Sequence, residues 1–137
     1  VDAWVIWDPF YAATELALPT RAITTGVGLS GNNSFYLSST ALANQSPEVV
    51  LALFEELSRA DRFVQERRPE AIKLIANFSG LDAGVVSLFL KRRPRSPVGL
   101  LSAEAAASQQ NVADAFARLA LIPKHVRVSD IVWRFAR

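Results

Sequence analysis

Residues 1–7 are apolar and β-branched or aromatic at most positions, with Asp2 the polar exception. Such a run suits a strand buried on both faces, as in a parallel sheet. Asp8-Pro9 then reads as a helix start, with aspartate at the N-cap and proline at the first helical position. That helix is predicted to run to about Leu18 and to stop before Pro19. A short strand is predicted over 21–25, ending in a loop punctuated by Gly26, Gly28 and Gly31. Asn32-Asn33 leads into a further strand over 34–38. The series is α/β in character.

From Ser46 onward the period becomes helical. Ser46-Pro47-Glu48 is a start signal with an acid in the first turn. Behind it Val49, Val50, Leu53, Phe54, Leu57 and Val64 fall on one stripe, in which Asp61 is the polar member. Pro69 opens a second helix striped by Ala71, Leu74, Ile75 and Phe78. Leu81-Asp82 starts a third with Val85, Val86 and Phe89, and Ser102 with Glu104 starts a fourth bearing Val112, Phe116 and Leu119. A short last element holds Ile131 and Val132. Each helix has one apolar and one polar face, so each lies on a core and does not pass through one. The strands are too few for a self-sufficient parallel sheet, and the helices need a sheet to cover. The missing partner is expected upstream, and Val1-Asp2-Ala3-Trp4 reads as the middle of a strand, with neither a starter methionine nor a signal-peptide pattern.

Composition narrows the chemistry. The 137 residues are 50% hydrophobic and 20% charged, enough for one modest core. Fifteen Lys and Arg against 13 Asp and Glu leave a net charge of +2, so no basic face is implied and nucleic acid is not an expected partner. No apolar run approaches the roughly 20 residues of a membrane-spanning helix, so direct membrane insertion is not expected. Cysteine is absent, which removes disulfides, thiol nucleophiles and thiolate metal sites. The single histidine, His125, excludes multi-histidine metal sites and weighs against a histidine triad. Glu55 and Glu56 are adjacent and diverge on a helix, and neither a G-x-S-x-G nor a P-loop string occurs. No catalytic residue, metal ligand or cofactor is therefore expected.

Local strings carry a family resemblance. Residues 1–10, V-D-A-W-V-I-W-D-P-F, resemble the V-D-A-W-x-x-W-D-P string of aliphatic-sulfonate-binding proteins and their taurine and nitrate relatives. Residues 32–37, N-N-S-F-Y-L, followed by Ser46-Pro47-Glu48-Val49-Val50, are similar to that family's returning strand and P-E-V-V helix start. Gln109-Gln110, Leu121-Ile122-Pro123-Lys124 and Val128 to Trp133 are similar to its tail pattern. The strings keep the family's order and span nearly the whole chain. Lys91-Arg92-Arg93-Pro94-Arg95-Ser96-Pro97 departs from it, being more basic and richer in proline.

The resemblance implies a two-lobed α/β fold of the periplasmic-binding-protein type II class. Residues 1–33 would end the second lobe and 34–137 would return to the first. It implies a periplasmic receptor that captures a small organic anion, an alkanesulfonate, by lobe closure and passes it to the membrane permease of an ABC importer. The same architecture could serve taurine, nitrate or a pyrimidine precursor, or act as a sensor domain. A further alternative is a small helical interaction module. Sulfonates need N–H and O–H donors for the head and apolar walls for the tail. Trp4 and Trp7, near the carboxyl end of the first strand, are candidate walls; their alternative is the core. Asn33 and Ser34 are candidate head or hinge donors, against ordinary turn chemistry. Tyr36 is a weaker candidate, and Asp8 reads better as an N-cap. The cluster Lys91, Arg92, Arg93 and Arg95 reads as a solvated surface loop, and His125 as an exposed tail residue.

Overall fold

The computed structural model describes residues 2–29, 31, 33–95 and 97–135. Val1, Asn32 and Ser96, which enter the strings above, lie outside the described residues. Capping chemistry accounts for most of the helix starts. α1 (Phe10–Ala17) follows Asp8, whose Oδ1 accepts the Ala12 N–H at 3.0 Å. Proline occupies the N-cap position itself, one residue before the place expected, and the Asp8–Pro9 peptide is cis. α2 (Thr40–Gln45) starts where the Ser39 hydroxyl accepts the Leu42 N–H at 3.1 Å. α3 (Pro47–Glu66) begins at the Ser46-Pro47-Glu48 signal. α4 (Arg68–Ser79) has proline in its first turn and ends at Gly80, whose φ of 72° is open to glycine and costly for a residue with a Cβ. α5 (Ala83–Arg92) is capped by Asp82, accepting from the Gly84 N–H at 2.7 Å. α6 (Ala103–Arg118) is capped by Ser102, accepting from the Ala105 N–H at 3.1 Å.

The strands predicted over 1–7, 21–25 and 34–38 are corrected by the structure. The described residues of these segments carry no regular secondary structure, and no β-strand occurs among the described residues. An extended segment becomes a strand only by exchanging hydrogen bonds with a neighbour. These apolar runs are uncovered instead: Val5 is 95% and Leu37 92% exposed. In place of the last predicted element, a 3-10 turn spans Val128–Asp130, and Ile131 is exposed. α2 was not foreseen, because its six residues present no apolar stripe long enough to read.

The chain forms two compact units. The first comprises Val1–Thr25 with Glu56–Pro97, the second Gly26–Glu55 with Val98–Arg137. In the first, α5 packs on both α1 and α4. Ala12, Ala71 and Val86 are fully buried there and Leu90 nearly so. Alanine at such contacts lets helix backbones approach closely. Arg68 ties α4 to the end of α5, its Nη1 donating to the Leu90 carbonyl at 2.9 Å. In the second unit α6 contacts the 3-10 turn, and the buried residues are Ala43, Val50 and Val128. Phe54 and Trp133 meet edge to face with ring centroids 6.3 Å apart. No helix among the described residues is long and apolar enough to cross a membrane.

Candidate ligand-binding site

Trp4 and Trp7 stand on the segment that leads into α1 and are 58% and 70% exposed, so neither is a core residue of this chain. Trp7 is fixed by its backbone: its carbonyl accepts the Tyr11 N–H at 3.1 Å, and the Pro9 carbonyl accepts the Ala13 N–H at 3.0 Å. The indole at position 7 therefore projects from backbone tied to the first turn of α1, with the Asp8 carboxylate capping that turn. An exposed indole on an anchored backbone is suited to lie against an apolar ligand tail.

Asn33 and Ser34 belong to the second unit, and both are exposed on a stretch without regular structure. Asn33 lies close to the Gly31 backbone. A Cβ at position 31 would sit 3.4 Å from Asn33 Nδ2 and 3.2 Å from Ser108 Oγ on α6, so glycine leaves room for that approach. Amide and hydroxyl side chains here can donate hydrogen bonds without adding formal charge. The two tryptophans thus share one unit, and the amide and hydroxyl share the other. Tyr36 is 60% exposed on the same stretch as Ser34.

The basic cluster divides. Lys91, Arg93 and Arg95 are exposed. Arg92 is not, which corrects its reading as part of a solvated loop: it is the last residue of α5, with a side chain 28% exposed. Its Nη1 lies 3.5 Å from Asp8 Oδ1, its Nη2 pairs with Glu15 Oε2, and its guanidinium carbon lies 4.4 Å over the Tyr11 ring. These partners were missed because they lie 84 and 77 residues away along the chain. In the second unit Gln110 plays a similar joining part. Its Nε2 donates to the Val126 carbonyl at 2.9 Å and to Asp114 Oδ1 at 2.8 Å, and its Oε1 accepts the Val128 N–H at 2.8 Å. Together with His125, Arg127 and Asp130 these groups line a shallow polar depression. His125 is exposed.

No protein-family model matches the chain. Among curated proteins it is 35% identical over 134 residues to a protein of Escherichia coli K12 named for binding aliphatic sulfonates, covering 98% of this chain and 42% of the relative. The crystal structure of the periplasmic aliphatic sulphonate binding protein SsuA from Escherichia coli superposes with a TM-score of 0.94 at 34% identity, covering all of this chain and 44% of that one. The alkanesulfonate-binding protein SsuA from Xanthomonas axonopodis pv. citri, bound to MOPS, superposes with a TM-score of 0.89 at 39% identity, covering 98% and 47%. The chain spans less than half the length of the relatives it matches. In sequence and in fold alike, it matches the carboxy-terminal part of the aliphatic-sulfonate-binding proteins and shares that portion of their two-lobed α/β architecture.

Proposed function

We propose that the protein is the periplasmic solute-binding component of a bacterial ABC importer. It binds an aliphatic sulfonate in a cleft between two lobes and delivers it to the permease, without catalysing a reaction. The observation that carries this reading is the fold match over the whole chain to two sulfonate-binding receptors, one of them bound to MOPS. MOPS is a propanesulfonate carrying a morpholine ring, so its recognition calls for a sulfonate site beside a wall for the rest of the molecule. The exposed side chains suit that division of labour. Trp4 and Trp7 offer exposed aromatic faces for the tail, and Asn33 and Ser34 offer neutral donors for the head.

The assignment of stretches to lobes belongs to the same proposal. In it, residues 1–33 would end the second lobe and residues 34–137 would return to the first. Closure would be a ligand-driven shift between open and closed forms.

Calorimetric titration of the full-length protein with propanesulfonate, MOPS, taurine, nitrate and sulfate tests the reading. Alkanesulfonates are expected to bind and to raise the melting temperature. Trp7→Ala is expected to weaken binding by about tenfold or more, as a lost aromatic wall does. Binding of nitrate or sulfate in preference to every sulfonate would replace the ligand class, and a preference for taurine would narrow it to aminoalkanesulfonates. Unchanged affinity in Trp7→Ala would remove that residue from the site.

A further inference from the structure

Resting on that reading, we infer that Arg92 is a positioning residue for ligand binding, holding the Trp4–Trp7 segment through Asp8. One guanidinium meets two carboxylates and an aromatic face, all of them on or just before α1. Asp8 is the joint. Its Oδ1 takes the Ala12 N–H at 3.0 Å and faces Arg92 Nη1 at 3.5 Å, so a single oxygen serves both the helix cap and the ion pair. Trp7 is covalently next to that joint, and its own carbonyl is bonded to the Tyr11 N–H. The Tyr11 ring in turn lies under the Arg92 guanidinium. Backbone freedom at Trp7 is thereby limited from both ends of the first turn of α1.

The chemistry requires arginine. The planar fork can address two carboxylates while its face lies on Tyr11, whereas a lysine ammonium is a point charge with no face to stack. Arg92 also ends α5, where a cation complements the partial negative charge of the helix terminus. The site is shielded as well, because Asp8 is 25% and Arg92 28% exposed at their side chains. The neighbouring bases Lys91, Arg93 and Arg95 are exposed and supply internal controls. If general positive charge near the cleft mattered, they would matter too.

The experiment uses the full-length protein and its Arg92→Met, Arg92→Lys, Asp8→Asn and Arg93→Ala forms. Affinity for propanesulfonate is measured by calorimetry, and the indole environment by near-ultraviolet circular dichroism, with far-ultraviolet spectra as the check on folding. Arg92→Met is expected to lose about tenfold in affinity and to change the near-ultraviolet signal while keeping its helices. Arg92→Lys is expected to recover part of the loss, and Arg93→Ala to bind as the parent does. Adding Asp8→Asn to Arg92→Met should cost less than the separate losses combined, since both break one link. Should Arg92→Met not fold, Arg92→Lys carries the same comparison. A folded Arg92 variant with a lowered melting temperature but unaltered affinity and near-ultraviolet spectrum would overturn the inference and leave Arg92 a stability residue. If the parent binds no sulfonate, the functional reading fails. The near-ultraviolet comparison then still decides whether Arg92 sets the indoles.

Discussion

The two units join distant stretches of chain by opposite means. In the first, a small-residue helix contact is buried at Ala12, Ala71, Val86 and Leu90, and a charged clamp centred on Arg92 sits at its edge. In the second, α6 has no buried residue, and it is held to the tail by the neutral amide of Gln110. One clamp works by attraction between formal charges and a cation over a ring. The other works by matching the donors and acceptor of an amide to backbone groups and one carboxylate. Where helices already bury a core, the clamp can be devoted to orientation. Where they bury little, the clamp is itself a principal contact between the segments it joins.

The largest effect that would break this comparison is loss of the first unit's core. Leu90 is 1% exposed on α5, the helix that packs on α1 and α4, so Leu90→Ala is expected to cost about 3 kcal/mol. Denaturant unfolding of the full-length protein measures it. Hydrogen exchange should locate the loss in α1, α4 and α5. A cost below about 1 kcal/mol would mean that the first unit is no better packed than the second.

The clamps themselves come next. Arg92→Met and Gln110→Ala are each expected to cost about 2 kcal/mol at low salt, the first by stranding two carboxylates and the second by leaving the Val126 carbonyl and the Val128 N–H without the amide. Salt separates them. Raising ionic strength to about 1 M shortens the screening length to about 3 Å, so the Arg92 difference should shrink while the Gln110 difference holds. Thermal melts of the parent and both variants at low and high salt are the measurement. Equal salt sensitivity would erase the contrast between a charged and a neutral clamp.

These clamps also show where the sequence is readable and where it is not. The starts of α3, α5 and α6 follow from Pro47, Asp82 and Ser102, because a cap is satisfied within a few residues of itself. Arg92 stood among neighbours that are solvated, and nothing within ten residues distinguishes it, since its partners Asp8 and Glu15 lie on the other stretch of its unit. Gln110 falls in the tail pattern, yet its role is visible only once residues 126–128 return to α6. The runs over 1–7, 21–25 and 34–38 have the composition of buried strands, but a ladder depends on a partner that composition cannot specify. The candidate site rests on a different ground: Trp4 and Trp7 are exposed, and their proposed part comes from the family strings, whereas spacing alone would equally have assigned them to a core.

The smallest expected effect tests whether even the exposed start of α6 adds to the second unit's hold. Glu104, in the first turn of α6, is held below the usual carboxylate range, chiefly by a hydrogen bond from its own backbone N–H and next by the Ser102 side chain, with slight desolvation opposing. The hydroxyl can do both jobs, accepting from the Ala105 N–H and donating to the carboxylate. A depressed folded value means the carboxylate contributes stability above its unfolded value and loses it as pH falls through the folded one. The window is therefore acidic, below the ordinary carboxylate range, and Glu104→Gln should blunt the acid limb there. Ser102→Ala is expected to move the Glu104 midpoint, followed by side-chain carboxyl NMR, part of the way back upward, because the backbone contribution remains. The same variant should cost about 1 kcal/mol through the lost cap at every pH. A midpoint that stays put in Ser102→Ala would assign the whole depression to the helix backbone, and would leave the second unit dependent on Gln110 for its polar hold.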